Sequence, residues 1–183
     1  LGTVLLPRAA YYIEHQQMDE FKKLSRKALN FVFLVASPMM IYFMLFAKQG
    51  IYFLSGDAFG PAVVPMQLIM PTLLLIGITN ILGIQILVPL GYEKAVLVSE
   101  IVGAVIDLVV NALLIPVYQS SGAAIGTLLA EFAVMVVQCV ALKNEIKTAF
   151  SDIKYLKIIL AIILASLASF WVTALNLHVF ITL

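Results

Sequence analysis

Residues 95–142 read AVLVSEIVGAVIDLVVNALLIPVYQSSGAAIGTLLAEFAVMVVQCVAL. Two apolar runs, 95–115 and 122–142, flank a short polar turn. At about 1.5 Å of rise per residue, each run is long enough as a helix to cross a hydrocarbon core of about 30 Å. The stretch is therefore read as a transmembrane helical hairpin. The composition of the whole chain agrees: 63% of its 183 residues are hydrophobic, 11% are charged, and the mean hydropathy is +1.08. A chain this apolar cannot enclose its greasy residues in one soluble core beneath a polar surface.

Working outward from the hairpin, similar apolar runs occupy 28–47, 62–88 and 156–175, and LHVFITL, 177–183, looks like the opening of another. The expected fold is all-α, a polytopic transmembrane bundle in a single membrane domain, 1–183, with about five full spans and truncated spans at both ends. The chain starts at Leu1 and shows no signal-peptide pattern, so it is expected to be the C-terminal part of something longer. Cys139 lies inside an apolar run, which leaves no disulfide framework.

The charges orient the bundle. If each span crosses once, the connections 1–27, 89–94 and 143–155 share one side, and 48–61 and 116–121 the other. Arg8, Lys22, Lys23, Arg26, Lys27, Lys94, Lys143, Lys147, Lys154 and Lys157 all fall in or beside the first set, and Lys48 alone falls in the second. Basic residues stay on the inner side, so 7–27, 89–94 and 143–155 are expected to be cytoplasmic. QMDEFKKLSRKAL, 17–29, has apolar residues near helical spacing and a basic opposite face, and is expected to lie along the inner interface with Tyr11 and Tyr12 at headgroup depth. A basic segment like this either recognises anionic lipid or only sets topology. His15, alone among polar residues, reads as solvated.

Within the spans, polar residues are the ones that need explaining, because a carboxylate at bilayer depth is costly. Glu100, Asp107 and Asn111 fall within about 20° of one another on a helix of 100° per residue, beside Gly103 and Ala104. Thr127, Glu131 and Gln138 repeat the pattern on the next span. Two readings stand. The stripes line a hydrated path or cation-coupling site, or they hydrogen-bond to one another while GAAIG, 122–126, lets the backbones approach. Asp107 is the deepest carboxylate and the first candidate for function.

The run 62–88 is interrupted by Pro71, Gly77, Thr79, Asn80, Gly83 and Gln85, the pattern of a kinked or unwound helix beside a cavity. Asn80 and Gln85 are about 140° apart, so one can face a cavity and the other a neighbour. Pro38 predicts a bend in the first span. No metal-ligand spacing, nucleophile and base pair, phosphate loop or dinucleotide fingerprint occurs, and the chain is read as a non-enzyme with no cofactor and no nucleic-acid partner.

The succession VLLPRAAYYIEH (4–15), LFAKQGIYFLSGDAF (45–59), QILVPLGYEKAVLVSEIVGAVIDLVVNALLIP (85–116) and SSGAAIGTLLAE (120–131) resembles the C-terminal half of the O-antigen and exopolysaccharide repeat-unit flippases. These belong to the multidrug/oligosaccharidyl-lipid/polysaccharide exporter superfamily. The likeness departs at Asp107, where an apolar or amide residue is more usual, and at the YQSSG turn. It implies the C-terminal lobe of a two-lobe, MATE-like transporter in a bacterial cytoplasmic membrane, working by alternating access on a polyprenyl-pyrophosphate-linked oligosaccharide. It also implies partners: the bilayer, that lipid-linked cargo, and a polysaccharide polymerase and glycosyltransferases. Rival readings are a peptidoglycan-precursor flippase, a multidrug or cation extruder for which Asp107 and Glu131 would be cavity charges, and a non-transporting membrane scaffold.

Overall fold

The computed structural model describes residues 2–142, together with 156, 157, 159–164 and 167, which are helical. The loop 143–155, the start of a sixth span and most of the run 156–175 lie outside the described residues. Every described element is helical, and four helical stretches are long and apolar enough to cross a membrane: Met18–Leu45, Asp57–Leu87, Glu93–Tyr118 and Ser120–Ala141, with mean hydropathies of 1.9, 1.9, 2.2 and 2.0.

The inner end is more helical than its polarity suggests. Helix α1, Gly2–Glu14, runs through Pro7 and Arg8. Only residues 15–17 separate it from α2, Met18–Leu45. The turn is made by Gln16 in a left-handed conformation (φ 57°), with His15 stacked on the Tyr11 ring at 4.0 Å between centroids and its Nδ1 2.9 Å from the Tyr11 carbonyl oxygen. Two expectations change here. The segment 7–27 is not a loop, and residues 18–27 are not a separate interfacial helix but the first turns of the same helix that enters the membrane. No Gly or Pro interrupts the sequence between Gln17 and Ser37, so nothing stops the i to i−4 ladder once it starts. Phe21, Ser25, Ala28, Leu29, Val32 and Ala36 form the buried face of α2, and Lys23 pairs with Glu20 on the outer one.

Helix α2 continues through Pro38 and gives way at Phe46 (φ −100°, ψ 16°) to α3, Ala47–Ser55. A 3-10 segment, Asp57–Ala62, leads into the returning span. Gln67 Nε2 donates to the Met44 carbonyl at 3.0 Å, satisfying one of the carbonyls orphaned by the end of α2. The interrupted run 62–88 is indeed broken. It consists of α4, Val63–Ile69, then α5, Thr72–Asn80, then a π-helical segment, Ile81–Leu87. The first break follows from Pro71, which has no N–H to donate to the preceding turn. In the π-helical segment the Val88 amide reaches back to the Gly83 carbonyl at 3.0 Å, one residue beyond α-helical spacing.

A short turn with Gly91 at φ 81° starts α6, Glu93–Tyr118. The polar turn expected at 116–121 contracts to the single residue Gln119 (φ 51°), and α7, Ser120–Ala141, returns at once. Helix α7 packs most extensively on α6 and also against α4, α5 and the π-helical segment. A second cluster joins Ala9 of α1, Phe21, Ala28, Leu29 and Val32 of α2, and Ile81, Leu82, Ile86 and Leu87 of the π-helical segment. Lipid tails are as apolar as leucine, so this packing gains van der Waals contact rather than exclusion of water. That favours close backbone approach: a Cβ on Gly77 would sit 2.6 Å from Val32 Cγ1. Exposed Leu108, Leu113 and Val117 on α6 suit a lipid-facing surface.

Candidate functional site

The α6–α7 seam is built on fourth-residue spacing. On α6 the fully packed positions are Ser99 and Gly103, and on α7 they are Gly122, Gly126, Ala130, Val134 and Gln138. A Cβ on Gly103 would meet Val134, one on Gly126 would meet the Asn111 amide, and one on Gly122 would meet the Leu114 carbonyl. The small residues thus draw the helices together, as the GAAIG stretch suggested. The polar stripe of α6 runs along the edge of this seam rather than through its middle. Gly103 is buried at its centre, whereas Ala104, expected on the same side, is exposed.

Along one edge of the seam a groove of about 200 Å³ opens between α5, the π-helical segment, α6 and α7. It is lined by Ile76, Thr79, Asn80, Gly83, Ile84, Val96, Glu100, Glu131 and Gln138. Four sequence candidates therefore converge: Asn80, Glu100, Glu131 and Gln138. Glu100 and Asn80 are exposed, Glu131 is half-buried, and Gln138 is 1% exposed. The amide of Gln138 is held from α6, its Nε2 donating to Ser99 Oγ at 3.3 Å. Ser99 Oγ in turn donates to the Val96 carbonyl at 2.7 Å, and Thr79 Oγ1 to the Ile76 carbonyl at 3.2 Å. Gln138 Oε1 is buried and has no hydrogen-bond partner. Leaving such an acceptor unpaired costs about 1–3 kcal/mol, which a structure retains where the atom has another use.

The remaining candidates lie elsewhere. Asp107 and Asn111 sit one to three turns further along α6, outside the groove, each half-buried with a buried Oδ1 that no donor reaches. Asn111 also borders a shallow apolar hollow of about 310 Å³ with Leu108, Ala112, Ile115 and Pro116. Gln85 points away from Asn80, as the 140° separation requires. It is 4% exposed, and neither end of its amide has a partner. The stripes do not zip together carboxylate to amide: the side-chain bond that joins the two helices runs between Gln138 and Ser99. Ser99 is the residue that reading the charged positions passes over. Its signal was present, since it lies four residues before Gly103 on the small-residue face.

Among the described residues no three His, Cys, Asp or Glu side chains gather as a metal cluster. The groove's chemistry is that of oxygen acceptors on an apolar floor, without a basic side chain among its lining residues. Two carboxylates sharing such a space disfavour each other's ionised form unless a cation or proton joins them.

Compared with known families, residues 1–183 match the model described as Lipid II flippase MurJ. The chain belongs to that family. Neither the curated proteins nor the solved structures contain a match.

Proposed function

We propose that this member of the lipid II flippase family acts in a carrier that moves a lipid-linked peptidoglycan precursor from the inner to the outer leaflet of a bacterial cytoplasmic membrane. The observation that carries the reading is the family match across residues 1–183. It moves the cargo from the polysaccharide repeat unit, the first expectation from sequence, to the peptidoglycan precursor, its nearest rival there. The polysaccharide polymerase and glycosyltransferases belonged to the repeat-unit reading and are not carried into this one. The partners are the bilayer and the lipid-linked precursor.

The geometry supports a carrier in two ways. The span Asp57–Leu87 is built from three segments joined at Pro71 and at the π-helical segment, and such breaks let one stretch of a span move against another. The polar groove follows the π-helical segment and occupies the inner half of the membrane in the orientation set by the basic residues. Glu100 lies about 10 Å inside the start of α6, and Glu131 about 15 Å from the end of α7. An exposed carboxylate at that depth faces water or a partner rather than lipid. The work assigned to the chain is transport by alternating access, not bond chemistry.

The test is depletion in cells of the natural protein that carries this chain, followed by attack from outside with a membrane-impermeant enzyme that cleaves the lipid-linked precursor. Depletion is expected to leave the precursor intact and accumulating. If precursor remains cleavable while a surface polysaccharide disappears, the repeat-unit reading replaces this one.

A further inference from the structure

We propose that the groove between α5, the π-helical segment, α6 and α7 binds one monovalent metal cation, with Gln138 Oε1 and the carboxylates of Glu131 and Glu100 as its oxygen donors. The inference builds on the carrier reading for its purpose, since a bound cation is what would couple transport to an ion gradient, but the binding itself does not depend on the cargo.

The groove offers acceptors and almost nothing else. Both hydroxyls point their protons at carbonyls of their own helices, Thr79 at Ile76 and Ser99 at Val96. Gln138 gives its Nε2 hydrogen to Ser99, which fixes which end of the amide is the oxygen, and that oxygen is buried without a donor. Two carboxylates, Glu100 and Glu131, share the same space, and no Lys, Arg or His lines it. Asn80 contributes the one remaining amide. A buried acceptor beside uncompensated carboxylates at membrane depth calls for positive charge from outside the chain.

The donor set also indicates which charge. Carboxylate and amide oxygens are hard ligands, suited to alkali and alkaline-earth ions rather than to soft metals. Only two acidic side chains line the groove, and no third His, Cys, Asp or Glu joins them among the described residues, so the charge supplied suits a singly charged ion better than a divalent one. Gly83 keeps the space open. A Cβ there would come within 2.9 Å of Gln138 Nε2 and 3.6 Å of Oε1, pushing the amide from its place. The π-helical turn presents this glycine to α7. Asp107, one to two turns away along α6, has its own unpaired oxygen and must be separated from the groove in any measurement.

The experiment uses the natural full-length protein in lipid nanodiscs at one fixed pH and constant ionic strength, with retention of radiolabelled sodium as the readout and potassium as competitor. The Asp107→Asn protein is the reference, so that the other carboxylate of α6 does not contribute. It is expected to retain sodium, and adding Glu131→Gln or Gln138→Leu is expected to weaken retention by about tenfold or more. If the Asp107→Asn protein holds no sodium, whether because the groove takes only protons or because Asp107 is itself the ligand, the inference fails. It fails equally if Glu131→Gln and Gln138→Leu leave retention unchanged. Should Gln138→Leu not fold, Glu100→Gln in the same background supplies the second variant. A protein that translocates precursor but holds no sodium overturns this inference alone, and one that holds sodium but moves no precursor overturns the flippase reading alone.

Discussion

Replacing Gly122 by alanine tests whether the α6–α7 hairpin depends on backbone contact. A Cβ at 122 would lie 2.5 Å from the Leu114 carbonyl oxygen, 2.6 Å from its carbon and 2.9 Å from the Ile115 nitrogen. These are backbone atoms one tight turn away, so no rotamer change relieves them. An ordinary carbon to oxygen contact needs about 3.4 Å, so the helices must part by about 0.9 Å where Gln119 alone joins them. Overpacking of this kind costs about 1–3 kcal/mol, and a rigid obstacle places the cost at the upper end. Alanine's better helix propensity returns about 1 kcal/mol, leaving a net loss of about 2 kcal/mol. Gly50, inside α3 with nothing within 4 Å of a built Cβ, is the matched control. There the same substitution is expected to be neutral or to stabilise by up to about 1 kcal/mol. The assay is reversible unfolding in mixed detergent micelles, comparing the two variants with the parent. Equal stability of Gly122→Ala and Gly50→Ala would refute the argument that small residues at this seam serve close approach.

Three further outcomes follow from particular residues. Gln85→Met removes two buried amide atoms that lack partners and is expected to raise unfolding stability by about 1–3 kcal/mol; a loss of similar size would mean that Gln85 has a partner in another state of the protein. Asp107→Asn is expected to leave the amount of folded protein in the membrane unchanged while lowering precursor translocation, and unchanged translocation would make Asp107 an idle charge at the edge of the seam. Cysteines placed at Gly91 and Ser120, in an otherwise cysteine-free protein, are expected to react with a membrane-impermeant thiol reagent only from the inside and only from the outside respectively; the reverse would invert the topology.

The groove and the seam differ in how far one helix could reveal them. Angular position along a single helix is a property of sequence, and so the separation of Asn80 from Gln85, the alignment of Glu100 with Asp107, and the small-residue face at 122–126 were all legible. The register of one helix against another is not. Ser99 meets Gln138 across 39 positions of chain because the tight turn at Gln119 sets α6 and α7 level, and that turn was expected to be six residues long. Asp107 shares a stripe with Glu100 yet misses the groove, because the groove ends where α5 and the π-helical segment stop covering that edge of α6.

By itself, then, the sequence determined the solvent of this protein, the number and direction of the described spans and the inner face. Hydrophobic length and the placement of basic residues respond to the bilayer, not to neighbouring helices. Tertiary structure decided that residues 18–27 continue the first span, that the second breaks into α4, α5 and a π-helical turn, and that Asn80, Glu100, Glu131 and Gln138 surround one space while Asp107, Asn111 and Gln85 do not. The physical reason is that lipid and protein surfaces are alike to an apolar side chain. Which helices touch is settled by shape and by the few hydrogen bonds between them, and neither is written in one helix alone.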